Sequence, residues 1–121
     1  MNITTKNITV HKTARYFVIG KPSTKIKSVW FVLHGYSQLA EDFIKIFEPI
    51  KNETTVIIAP EALNKFYIKG FSGKVGSAWM TKEDRENEIK DYVNYLDSVY
   101  DEVVKFGSLS KAKITVLGFS Q

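Results

Sequence analysis

The chain has 121 residues, of which 44% are hydrophobic and 25% are charged, a composition typical of one small globular domain. It contains no cysteine, which excludes a disulfide framework, a thiol nucleophile and a thiolate metal site within these residues. The net charge of +4 is scattered over 17 basic and 13 acidic residues, and His11 and His34 lie far apart, so we expect no nucleic-acid partner, no metal site and no cofactor.

The amino-terminal residues predict where the protein is found. Residues 1–6 lack the apolar centre of a signal peptide, and no apolar run in the chain approaches the length of a membrane span. We therefore expect a cytoplasmic protein without stable membrane insertion.

The first 34 residues predict an antiparallel strand pair followed by a buried strand. Apolar residues alternate in part over residues 3–19 around a polar break at residues 11–13, which predicts two antiparallel strands. Residues 20–23 form a turn cluster. Residues 28–34 are apolar on both faces, which is typical of a parallel sheet covered by helices on both sides.

The middle of the chain predicts a short helix, a second buried strand and a long loop. Phe43, Phe47 and Ile50 have helical spacing, and residues 55–60 form an apolar run that ends at a proline. Residues 61–80 carry four aromatic residues and three glycines without a clear period. Because structureless loops of this length are uncommon in compact domains, we expect this one to be functional.

The last third of the chain predicts a long amphipathic helix and a third buried strand. Thr81 is the predicted cap and Gly107 the predicted end of the helix. Its apolar stripe consists of Ile89, Tyr92, Val93, Leu96, Val99, Tyr100, Val103 and Phe106. Residues 113–117 then form a short β-branched run. The whole pattern predicts an α/β fold with a mostly parallel sheet and an antiparallel amino-terminal strand pair.

Chemically distinctive residues follow two of these strands. Gly118-Phe119-Ser120 comes directly after the third strand, as the nucleophile of a Gly-x-Ser-x-Gly elbow does, with glycines beside the serine to avoid steric clashes. His34-Gly35-Tyr36 follows the first strand, where such hydrolases place part of the oxyanion hole. The carboxyl ends of parallel strands share one sheet edge, so we expect both segments and the loop after Pro60 to meet there.

These segments together resemble a known superfamily. The similarity lies in Leu33-His34-Gly35 with Asp42-Phe43 downstream, Ala59-Pro60, Ala78-Trp79 ahead of a long helix, and Gly118-Phe119-Ser120-Gln121. From about residue 28 onward, the chain resembles the α/β-hydrolase superfamily and, more narrowly, the phospholipase/carboxylesterase family that includes acyl-protein thioesterases. The resemblance implies that residues 1–121 are a single incomplete domain, the amino-terminal half of an α/β-hydrolase-like fold truncated at the nucleophile elbow.

The resemblance also implies an activity and residue roles. Ser120 would be the nucleophile of a serine hydrolase that acts on small-molecule esters or thioesters, and the backbone N–H groups of Tyr36 and Gln121 would form the oxyanion hole. In this superfamily the acid and the histidine follow the serine, so both are expected after Gln121. His34, Gly35 and Gly118 would be structural residues near the site.

Several points stay open at this stage. Ser37 stands where family members usually have a second glycine, which leaves the shape of the oxyanion loop unsettled. Trp79 and Met80 either line an acyl pocket or belong to the core. The alternatives to a hydrolase are a flavodoxin-like binding module, in which Ser120 is only a small turn residue, and a catalytically silent α/β fragment.

Overall fold

The structure is a computed structural model that describes residues 1–105 and 107–120. Its strands and α-helices are β1 (Tyr16–Ile19), β2 (Ser28–Leu33), α1 (Ala40–Ile44), β3 (Thr55–Pro60), β4 (Asn64–Tyr67), β5 (Val75–Ala78), α2 (Arg85–Tyr100) and β6 (Lys113–Gly118). A 3-10 helix at Lys45–Ile50 continues α1, and a π-helix at Asp101–Lys105 continues α2.

Four strands form the central sheet in the order β1-β3-β2-β6. Strands β3, β2 and β6 are parallel, while β1 runs antiparallel to β3. The predicted α/β class with a mostly parallel sheet is therefore confirmed. All six residues of β3 are buried, as expected for an apolar strand with neighbours on both sides and helices on both faces.

The predicted amino-terminal strand pair is wrong in one of its strands. Residues 1–15 form no strand, and Ile3, Ile8 and Val10 are exposed to solvent. β1 pairs antiparallel with β3 instead, with Tyr16 opposite Pro60. The partial alternation of residues 3–10 does not lead to a strand, because alternation favours one only where the apolar side chains are buried against a neighbouring surface.

Residues 61–80 also differ from the prediction, because they contain a hairpin. β4 and β5 form a separate two-stranded antiparallel sheet, with Asn64 opposite Ala78 and Tyr67 opposite Val75. Gly70 and Gly73 in the connection have positive φ angles of 69° and 90°. β5 has the sequence Val-Gly-Ser-Ala, whose small residues carry little of the apolar alternation by which strands are recognised.

The long helix is confirmed, although it begins later than predicted. α2 starts at Arg85 after Asp84, whose φ angle of 53° is left-handed, and Thr81 lies upstream with its hydroxyl 2.8 Å from a Glu88 carboxylate oxygen. Val99 is the buried residue of the stripe, whereas Val93 is exposed. Phe106 lies outside the described residues.

The two faces of the sheet carry separate apolar clusters. One cluster joins Val29, Phe31, Val56 and Ile58 to Val99 of α2 and Val104. The other joins Val32, Ile57 and Ala59 to Ala40, Phe43 and Ile44 of α1. Because β2, β3 and β6 are parallel, their carboxyl ends lie at one edge of the sheet.

No helix in the described part of the chain is both long enough and apolar enough to cross a lipid bilayer.

Candidate active site

Ser120 lies in a strained turn directly after β6. Its φ angle is 69°, a left-handed value that a residue with a side chain rarely adopts and that costs roughly 1–2 kcal/mol. The Phe119 N–H donates to the Leu33 carbonyl at 3.1 Å, which ties the turn to the end of the neighbouring strand. The prediction that residues 113–117 form a buried strand is wrong, because no residue of β6 is buried and Val116 and Leu117 are exposed at the edge of the sheet. Ser120 is also exposed, and a strained serine directly after a strand is compatible with a nucleophile elbow.

The expected clash at Gly118 is not found among the described residues. A Cβ atom built on Gly118 meets none of their atoms within 4 Å. At Gly35 the space is restricted, since a Cβ atom there would lie 3.1 Å from both the Phe119 carbonyl oxygen and the Gln38 Oε1 atom. The steric requirement for glycine therefore falls on Gly35, where the ends of β2 and β6 approach each other.

The structure brings together the two segments that the sequence singled out. Leu33 and Gly118 are register partners at the ends of parallel strands, and Gly35 contacts the Phe119 backbone. The Tyr36 amide makes no hydrogen bond with any described residue, so it is available to a ligand. Gln121, the other predicted oxyanion donor, lies outside the described residues.

Residues Gly35–Gln38 form a tight turn, here called the 35–38 loop. The Gly35 N–H donates to Gln38 Oε1 at 2.6 Å, and the Gln38 N–H donates to the Gly35 carbonyl at 3.3 Å. Ser37, which stands where the resemblance leads us to expect a second glycine, has a φ angle of 67°. Ser37 thus adopts a backbone conformation favoured by glycine.

Strand β5 holds the 35–38 loop through hydrogen bonds from one buried residue. The Ser77 carbonyl accepts from the Ser37 N–H at 2.9 Å, and the Ser77 N–H donates to the Gln38 carbonyl at 3.1 Å. The Ser77 hydroxyl donates to the same carbonyl at 2.7 Å. Sequence reasoning missed Ser77 because the pattern of residues 61–80 predicts a loop, and it missed Gln38 because a side-chain hydrogen bond to a nearby backbone N–H leaves no periodic pattern.

Gly76 allows this close approach. A Cβ atom on Gly76 would lie 2.4 Å from the Ser37 carbonyl oxygen, far inside van der Waals contact. The only signal in the sequence is the run of small residues Gly76-Ser77-Ala78, which does not by itself indicate what packs against it.

His34 has both ring nitrogens engaged. Nδ1–H donates to the Gly35 carbonyl at 2.8 Å, while Nε2 accepts from the Ala62 N–H at 3.0 Å and lies 3.2 Å from the Ser77 hydroxyl oxygen. Burial lowers the pKa of His34 from its ordinary value, against smaller raising effects of the Gly35 carbonyl and Glu61. The neutral ring therefore has no free nitrogen with which to accept a proton from Ser120.

Trp79 packs directly against His34. Its indole N–H donates to the His34 carbonyl at 2.8 Å, and the two rings stack with centroids 5.1 Å apart. Trp79 is buried and also contacts the Tyr92 and Tyr95 rings, whereas Met80 is half-buried. The contacts of Trp79 are those of a core residue that supports His34.

Glu61 is a buried carboxylate that the sequence did not predict. It follows β3 and accepts from the Arg15 Nε–H at 2.5 Å and the Ala40 N–H at 3.1 Å, with Lys65 Nζ 3.5 Å away. Burial alone would raise the pKa of Glu61, but the hydrogen bonds from Arg15 and Ala40 and the two positive charges outweigh it and lower that pKa. Through these hydrogen bonds, the Glu61 carboxylate connects the end of β3 to α1 and to the segment before β1.

A large groove lies away from Ser120. Its volume is about 960 Å³, and it runs between residues 6–16 and α2, with Trp79 in its lining. None of the residues of the 35–38 loop or of the turn at Ser120 contributes to that lining.

The chain matches no known protein family, and no curated protein is significantly similar to it.

Proposed function

We propose that this chain carries the nucleophile elbow and oxyanion loop of a cytoplasmic serine hydrolase for carboxylic esters or thioesters. The observation that carries the proposal is the left-handed φ of 69° at Ser120, after β6 and beside the 35–38 loop. A flavodoxin-like binding module would have no need of a strained serine at this position. The resemblance to the phospholipase/carboxylesterase family points to the same chemistry.

The proposed reaction is acyl transfer in two stages. The Ser120 oxygen attacks the carbonyl carbon of the ester or thioester, and its proton passes to a histidine expected after Gln121. The tetrahedral intermediate collapses as the protonated histidine gives that proton to the leaving alcohol or thiol. Water then attacks the acyl-enzyme by the same route, which releases the carboxylic acid and restores the serine.

The backbone supplies the stabilisation of the oxyanion. The N–H groups of Tyr36 and Gln121 would donate to the negative oxygen of the intermediate, and each such donor typically contributes about 3–4 kcal/mol. Donors are effective only when their positions are fixed beforehand. For the Tyr36 donor, this requirement is supported by the hydrogen bond of Gln38 within the 35–38 loop and by those of Ser77 to the loop.

Ester hydrolysis by the full-length native protein tests the proposal. We expect turnover of short p-nitrophenyl esters, and Ser120→Ala should reduce kcat by about 10⁴-fold or more because the nucleophile is lost. Ser110→Ala is the matched control, since Ser110 is exposed in the turn before β6. Turnover that survives Ser120→Ala, or that is lost equally in Ser110→Ala, would contradict the assignment.

A further inference from the structure

The tip of the β4–β5 hairpin projects into solvent. Phe71 is 96% exposed, and its neighbours Tyr67 and Ile68 are also exposed. The Ile68 N–H donates to the Lys74 carbonyl at 2.9 Å, which closes the connection between the strands. Cβ atoms built on Gly70 and Gly73 would meet no described atom within 4 Å, so open space surrounds the tip.

The charge of the hairpin is entirely positive. The sequence from Ala62 to Thr81 contains Lys65, Lys69 and Lys74 but no aspartate or glutamate. Lys65 lies near the buried Glu61 carboxylate, at 3.5 Å. Lys69 and Lys74 form no ion pair with any residue in the part of the chain described by the structure. The tip therefore combines the exposed Phe71 with two lysines whose charges are not paired with an acidic side chain among the described residues.

We propose that this tip docks on the surface of an anionic lipid bilayer. Lysines near such a surface are attracted to its negative potential, and an exposed aromatic ring partitions into the headgroup region. A protein partner fits the tip less well, because a stable protein interface needs about 800 Å² on each side and the tip is a single short turn. The docking is peripheral and reversible, because one aromatic ring and two cations give only modest affinity.

The hairpin connects this docking tip to the candidate active site. Phe66 of β4 stacks on the Tyr36 ring with centroids 5.3 Å apart, and Ser77 of β5 holds the 35–38 loop. Docking would therefore bring the 35–38 loop close to the bilayer. The docking itself does not depend on Ser120.

Sedimentation with vesicles tests the proposal. The full-length native protein is mixed with phosphatidylcholine vesicles that either contain or lack phosphatidylserine, and its partition coefficient is measured at low and high salt. We expect binding that requires phosphatidylserine and weakens with salt. The double substitution Lys69→Gln/Lys74→Gln should weaken it about thirtyfold, at about 1 kcal/mol for each lysine. Phe71→Ser should weaken it by about tenfold.

Matched variants elsewhere on the surface control for general effects. Ile46→Ser removes another exposed apolar side chain, and Lys21→Gln/Lys25→Gln removes two exposed cations. Both controls should bind as the wild type does, and all variants should keep its melting temperature because the altered side chains are exposed. Absence of binding, equal binding without phosphatidylserine, or an equal loss in the controls would overturn the proposal. Because only binding is measured, the result is independent of whether Ser120 is a nucleophile.

Discussion

Substitution of Gly76 by alanine tests whether β5 fixes the position of the 35–38 loop. The new Cβ atom would lie 2.4 Å from the Ser37 carbonyl oxygen and 2.8 Å from the Ser37 carbonyl carbon. Both of these atoms belong to the backbone, so no side-chain rotation relieves the clash. Either the 35–38 loop or β5 has to move.

The size of the effect follows from these distances. The contact with the Ser37 oxygen has to open from 2.4 Å to at least about 3.0 Å. Overpacking of this kind typically destabilises a protein by about 1–3 kcal/mol. An oxyanion donor has to lie about 2.7–3.1 Å from the oxyanion, so a displacement of this size at Ser37 also removes the contribution of the adjacent Tyr36 N–H. We therefore expect kcat to fall by about 10²-fold with little change in KM.

Steady-state ester hydrolysis and thermal unfolding of the full-length native protein measure the two effects. Gly70→Ala is the matched control, because Gly70 lies on the same hairpin with a positive φ of 69° but with no described atom within 4 Å of its Cβ position. Gly70→Ala should lower the melting temperature, because alanine is strained at a positive φ, and it should keep the wild-type kcat. Unchanged kcat in Gly76→Ala, or an equal loss of kcat in Gly70→Ala, would refute the reasoning.

Three further predictions concern buried polar groups. His34→Asn should lower stability by about 2 kcal/mol and reduce kcat less than Ser120→Ala does; an equal loss of activity with unchanged melting would contradict it. Burial lowers the pKa of His34, so as the pH falls the unfolded state takes up a proton before the folded state does. The free energy of unfolding, measured in urea, should therefore fall as the pH drops below about 6.5. The same dependence of this free energy on pH in His34→Asn would contradict the prediction. Arg15→Ala removes a partner of the buried Glu61 carboxylate and should lower the free energy of unfolding, measured in urea, by about 3 kcal/mol. Lys45→Ala, which removes one partner of an exposed ion pair, should lower it by less than about 1 kcal/mol. Equal losses in the two variants would contradict the prediction.

The central strands and the long helix could be predicted because their signals are local. Residues 29–33 and 56–60 are continuous apolar runs, since both faces of each strand are covered, and α2 carries a helical apolar period. Because the strands are parallel, the segment that begins at His34 and the segment that ends at Ser120 are expected at the same edge of the sheet. The contact between Gly35 and Phe119 agrees with that expectation.

The features that were missed depend on contacts between distant parts of the chain. Ser77 contacts the 35–38 loop mainly through backbone groups, which leave no pattern in the side chains. The pair of Arg15 and Glu61 joins residues 46 positions apart, and neither residue has a periodicity that indicates a partner. The strand predicted at residues 3–10 is wrong for the opposite reason, since its local pattern is present but Ile3, Ile8 and Val10 remain exposed and gain no burial from pairing.

The most direct test of the central claim is to locate the covalent adduct of a fluorophosphonate probe. The full-length native protein is treated with the probe, digested and analysed by mass spectrometry. The account predicts a single modified residue, Ser120, and loss of labelling in Ser120→Ala but not in Ser110→Ala. An adduct on Ser37 or on any other serine, or labelling that persists in Ser120→Ala, would show that the strained turn after β6 is not a nucleophile elbow.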